Sequence, residues 1–113
     1  MSKKKTVIKT KCYYTDYVNH MIRFYFSTPG GLDLLANKYS SASINNWNSV
    51  QLVFLHLKAD EFDKIRAVYL DYCHHLPRAV ELYCEKTGTD INEMWKLITK
   101  VTAKIARVRG LMP

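Results

Sequence analysis

Residues 77–110, PRAVELYCEKTGTDINEMWKLITKVTAKIARVRG, decide the fold. Pro77 suits the start of a helix, where its missing N–H costs nothing. Val80, Tyr83 and Cys84 mark the apolar side of that helix, and Gly88 is a natural stop. Asp90 then reads as the N-cap of a second helix. The core stripe of this helix is Met94, Leu97, Ile98, Val101, Ile105 and Val108, and it ends at Gly110. A short helix, a tight turn and a long helix form a helix-turn-helix when the two helices cross closely. Close crossing needs a small residue on the first helix, a Gly in the turn and an apolar residue on the second. Cys84, Gly88 and Met94 supply these at the spacing small-x3-Gly-x5-apolar, with Leu97 one turn further on. The motif is expected over about residues 77–109.

The side of the second helix away from its core stripe carries Asn92, Lys96, Thr99, Lys100, Ala103 and Arg107. Cations suit phosphates, small residues allow close approach, and an Asn can read adenine. The N-terminal half of such a helix reaches base edges. Asn92, Lys96, Thr99 and Lys100 are therefore expected in the groove of double-stranded DNA. Lys104, Arg107 and Arg109 are expected on its backbone. Trp95 borders this face and is expected to pack on the preceding helix.

Working towards the N-terminus, Phe62, Ile65, Tyr69 and Tyr72 recur at helical spacing, with Asp60 as the expected N-cap. Trp47, Val50, Phe54 and Leu57 form another helical stripe. Ser40 to Asn46 is polar and reads as a loop, and Leu32 to Tyr39 as a short helix. Tyr14, Tyr17, Val18, Met21, Ile22 and Tyr25 line one face of an aromatic helix that starts near Cys12 and stops at Thr28-Pro29-Gly30-Gly31. Residues 1–11 read as a flexible basic arm and residues 12–113 as a single all-α domain. The rings of the aromatic helix suit either a small core or a homodimer surface.

The chain has 113 residues and a net charge of +7, unevenly spread. Residues 1–11 hold five lysines and no acid, and the last 20 residues hold five cations and no acid. The ten carboxylates all lie between Asp16 and Glu93, against seven cations there. Cationic ends around an acidic middle point to a polyanionic partner.

The stretch from Trp47 to Met112 resembles region 4 of sigma-70-like factors. It is also similar to the small sigma-like regulators encoded by phages and mobile elements. The matching pieces are NWNSVQLVFLHL, EFDKIRAVYLDY, RAVELYCEKTG and DINEMWKLITKVTAKIARVRGL. Cys84, Thr87 and Thr89 stand where the family more often has Ala and two aliphatic residues. The resemblance implies a helix-turn-helix that contacts promoter DNA, transcriptional regulation, and RNA polymerase as a further partner. The aromatic N-terminal helix has no counterpart in that region.

Other chemistry is not indicated. Cys12, Cys73 and Cys84 are odd in number and unpaired by spacing, which argues against a disulfide framework. Cys73-His74-His75 and Cys84 lack the usual spacing of a zinc site, so no metal or other cofactor is expected. His75 is expected near a helix C-terminus, where the dipole favours its charged form. No nucleophile–base–acid set is present, and the chain is not expected to be an enzyme. MSKKKTVIKTK is followed by no apolar run of signal-peptide length, and no segment reads as a membrane span, so a cytoplasmic location is expected. A DNA-binding regulator leads these expectations. A helical adaptor docking on RNA polymerase, a sigma factor or a phage component is the second reading, and a small terminase-like packaging protein the third.

Overall fold

The computed structural model describes residues 14–28, 39–71 and 75–111. These form an all-α domain of five α-helices, with no strand among the described residues. The helices are α1 (Thr15–Ser27), α2 (Ser41–Phe54), α3 (Ala59–Arg66), α4 (Leu76–Thr87) and α5 (Ile91–Arg109). Helix α3 continues into a wider π-helical segment, Ala67–Asp71. The basic arm, all but Tyr39 of the short helix expected from Leu32 to Tyr39, Tyr72, Cys73 and His74 lie outside the described residues, and Tyr39 itself is not helical.

The helix boundaries follow from local chemistry. Thr28 leaves α1 in extended backbone, φ −126° and ψ 121°, as suits a residue that precedes a proline. Helix α2 corrects the expectation of a loop from Ser40 to Asn46. Ser40 is its N-cap, and its Oγ accepts a hydrogen bond from the Ser43 N–H at 3.1 Å. The polar run stays helical because tertiary bonds hold it. Asn46 Nδ2 donates to the Tyr17 hydroxyl at 2.9 Å, and Trp47 Nε1 donates to the Thr28 carbonyl at 3.2 Å. Ser49 Oγ donates back to the Asn45 carbonyl at 2.8 Å, so its burial leaves no orphan hydroxyl.

Helix α3 starts two residues earlier than expected. Lys58, not Asp60, is its N-cap, and the Glu61 carboxylate accepts from the Lys58 N–H at 3.1 Å. Asp60 sits in the first turn instead, where a negative charge complements the helix dipole. His75 also differs from expectation. It is the N-cap of α4, at the start of a helix and not near the end of one.

One core joins all the helices: Val18, Met21 and Ile22 of α1, Val50, Val53 and Phe54 of α2, and Ile65 of α3. It continues with Val68 and Tyr69 of the π segment, Ala79, Val80 and Cys84 of α4, and Met94, Ile98, Val101, Ile105 and Ala106 of α5. Burying each of the larger side chains stabilises the fold by about 1.5–3 kcal/mol. The aromatic side of α1 faces inward. Tyr25 packs on Trp47 and Phe54, and Phe26 packs on Phe54 and Phe62, with ring centroids 4.8 to 5.9 Å apart. Tyr25 also donates its hydroxyl proton to Gln51. The Tyr69 hydroxyl donates to Asn19 at 2.6 Å while the Arg23 guanidinium lies over its ring, and this docks the π segment on α1. Burial holds that hydroxyl protonated far above its ordinary range.

Candidate nucleic-acid interface

Helices α4 and α5 are joined by a tight turn over Gly88 to Asp90, at the spacing the sequence predicts. Cys84 and Met94 are buried, and Gly88 between them adopts φ 77° in the left-handed region. Its N–H donates to the Cys84 carbonyl at 2.9 Å, closing α4. Asp90 caps α5 by accepting from the Glu93 N–H at 3.0 Å. Thr87 and Thr89 in the turn bond each other, Oγ1 to Oγ1 at 2.8 Å, and Thr87 also donates to the Tyr83 carbonyl. Burial, followed by the nearby Asp90 carboxylate, pushes the Cys84 thiol up, so it stays protonated as a packing residue.

Helix α5 turns a slightly different stripe to the core than expected. Met94, Ile98, Val101 and Ile105 are buried, and Thr102 and Ala106 join them. Val108 does not. It is 46% exposed, because the burial shifts to Ala106 in the last turn. Trp95 is half-buried against the core, and it borders the exposed face.

The expected contact residues divide into three groups. Asn92, Lys96, Thr99 and Lys100 are all exposed and line one open groove together with Trp95. Lys104 and Arg107 are exposed too, but line a second groove with Leu52, Val53, His56 and Val108, where α2 meets α5. Arg109 is set apart. Its Nε donates to Asn46 Oδ1 at 2.6 Å in a partly buried contact, which fastens the end of α5 to α2.

The cations also differ in how they are held. Lys96 approaches Glu93 at 3.9 Å, but both side chains are largely exposed, so the pair binds weakly. Lys100 Nζ lies 3.0 Å from Glu61 Oε2 of α3. The hydrogen bond from Lys100, then that from the Lys58 N–H, holds the Glu61 carboxyl below its ordinary range. Lys104 and Arg107 form no ion pair among the described residues. Asp60, Glu61 and Glu93 border the α3 side of the α5 N-terminus.

Sequence reasoning missed Glu61 and Asn46, the partners of Lys100 and Arg109. Each lies tens of residues from the cation it holds, and no local spacing links them. Among the described residues no three metal-ligating side chains converge, and no helix is long and apolar enough to cross a membrane. Comparison of the chain with protein-family models, with curated proteins and with solved structures finds no match.

Proposed function

We propose that this protein is a cytoplasmic transcriptional regulator that binds double-stranded DNA through α5, as its resemblance to sigma region 4 implies. One observation carries this reading: Asn92, Lys96, Thr99 and Lys100 share a single exposed face of α5, the helix that follows the tight turn after α4. The two lysines supply phosphate attraction, while Asn92 and Thr99 offer short polar groups to base edges. Beyond Glu93, α5 carries no acid, and the nearest carboxylates, Glu61 and Glu93, lie against Lys100 and Lys96. Lys104 and Arg107 extend the positive charge along the helix. Arg109 belongs to the scaffold through its bond to Asn46.

Fluorescence anisotropy with a labelled duplex at two salt concentrations tests the reading. Binding is expected to fall steeply as salt rises, with a log–log slope of about −0.9 per phosphate neutralised. Lys96→Glu combined with Lys100→Glu is expected to abolish binding while circular dichroism and the melting curve stay close to those of the parent. Equal binding by the double variant and the parent would remove α5 as the recognition helix.

A further inference from the structure

Two aliphatic side chains stand out from the surface where α2 meets α5, and a third stands out at the C-cap of α2. Leu52 is 48% exposed, Leu55 69% and Val108 46%. Leu52 and Val108 share the groove that also holds Lys104 and Arg107, and Leu55 follows Leu52 by one turn. The charge there has one sign. Helix α2 contains no acid, and α5 has none after Glu93.

Duplex DNA accounts for the two cations but leaves the aliphatic side chains unexplained, because its phosphates and base edges are mainly polar. A second copy meeting this face symmetrically would bring Lys104 and Arg107 towards their own counterparts. Residues 1–11 of the same chain offer five lysines and no acid, which is also the wrong sign. An amphipathic helix with aliphatic side chains on one stripe and carboxylates beside it satisfies both halves of the surface.

We propose that the groove between α2 and α5 is a docking site for an acidic amphipathic helix of a partner protein. Aliphatic side chains of the partner at helical spacing cover Leu52, Leu55 and Val108, and its carboxylates meet Lys104 and Arg107. This site lies beside the Asn92–Lys100 face and shares Lys104 and Arg107 with the proposed duplex contact, but Leu52, Leu55 and Val108 belong to it alone.

The probe is a designed peptide of about 18 residues, five helical turns, with leucines at i, i+3 and i+7 flanked by glutamates. A peptide of the same composition with scattered leucines is the control. Binding to the full chain is followed by anisotropy and by two-dimensional amide NMR. The patterned peptide is expected to bind and to shift the signals of Leu52, Leu55, Lys104, Arg107 and Val108, while the control binds weakly. Leu55→Asp is expected to weaken binding about tenfold or more. The Lys104→Glu and Arg107→Glu pair is expected to do the same. Leu55→Asp leaves duplex binding unchanged, so failure of the DNA reading and failure of this one are distinguishable. Equal binding of the two peptides, shifts centred elsewhere, or unchanged binding by Leu55→Asp would overturn the proposal. So would sedimentation showing a dimer, without peptide, that Leu55→Asp dissociates. Leu55 is exposed, so the variant is expected to keep the parent's melting curve.

Discussion

The Lys100 ammonium lies 3.0 Å from the Glu61 carboxylate and joins the exposed face of α5 to the first turn of α3. The pair joins two residues of different helices that lie 39 positions apart in the sequence. It also places an acid beside one of the lysines proposed to meet phosphate. Glu61→Gln removes that charge and releases Lys100. Duplex affinity is expected to rise, with a salt slope steeper by up to about 0.9. The lost pair is expected to cost about 0.2–1 kcal/mol of stability, since Lys100 remains largely in water. Anisotropy and a urea melt measure the two effects on the same sample.

The same carboxylate makes stability depend on pH. Its bonds to Lys100 and to the Lys58 N–H hold its pKa below that of an unfolded Glu. The stability it contributes is therefore fully present above the unfolded value of about 4.3 and is lost as pH falls through the lower folded value. Urea midpoints from pH 6 down to the acid limit are expected to fall less for Glu61→Gln than for the parent. Parallel curves would show that Glu61 takes no part in the acid transition.

Gly88 tests the turn between α4 and α5. It sits at φ 77°, and a Cβ built there meets no atom within 4 Å. The cost of a side chain is therefore backbone strain alone. Gly88→Ala is expected to destabilise by about 1–2 kcal/mol, while Gly88→Asn costs less because Asn tolerates the left-handed region. Equal losses for the two variants would point to a steric cause instead. The readout is the midpoint of thermal or urea unfolding.

The division between what the sequence showed and what it hid follows the range of the forces involved. The turn from Cys84 to Met94 was legible because its determinants are local: a glycine that can take positive φ, an Asp that caps three residues ahead, and a small residue at the crossing. The helix over Ser41 to Asn46 was not, because serines and asparagines favour loops until partners elsewhere hold them. Tyr17 and Arg109 supply those partners to Asn46 here. Val108 was misplaced for a similar reason. Periodicity locates an apolar stripe but not where the neighbouring helix stops covering it. In the candidate interface, the grouping of Asn92, Lys96, Thr99 and Lys100 followed from helix geometry. The separation of Lys104 and Arg107 into a second groove depends on α2, which no spacing within α5 reveals.

Helix α5 offers a direct comparison of its two kinds of apolar position. Ile105 is fully buried and Val108 is nearly half exposed, three residues apart on one helix. Ile105→Ala removes buried methylenes and opens a cavity, so it is expected to cost about 2–5 kcal/mol. Val108→Ala removes atoms that water already reaches, and Ala is the better helix former, so a change within about 0.5 kcal/mol is expected. Urea denaturation of the two variants measures the difference, provided their m-values match. A large loss at Val108 would mean that something covers it in solution, and self-association would then show as a midpoint that rises with protein concentration.

The Arg109 side chain supports the last prediction, which separates scaffold from contact. Its Nε donates to Asn46 Oδ1, and Asn46 Nδ2 donates to the Tyr17 hydroxyl, so one amide ties α5, α2 and α1 together. A hydrogen bond to a charged donor contributes about 1.5–3 kcal/mol when well shielded, and this one, only partly buried, is expected to give the lower end. Arg109→Ala and Asn46→Ala are each expected to lower the unfolding midpoint. The double variant is expected to lose less than the sum, because either change alone already breaks the bond. Arg109→Ala is also expected to weaken duplex binding far less than Arg107→Ala, since Arg107 is exposed and its charge is unpaired among the described residues. Strictly additive losses would show that the pair is not coupled in solution. An equal loss of duplex affinity for the two arginine variants would return Arg109 to the DNA-facing set.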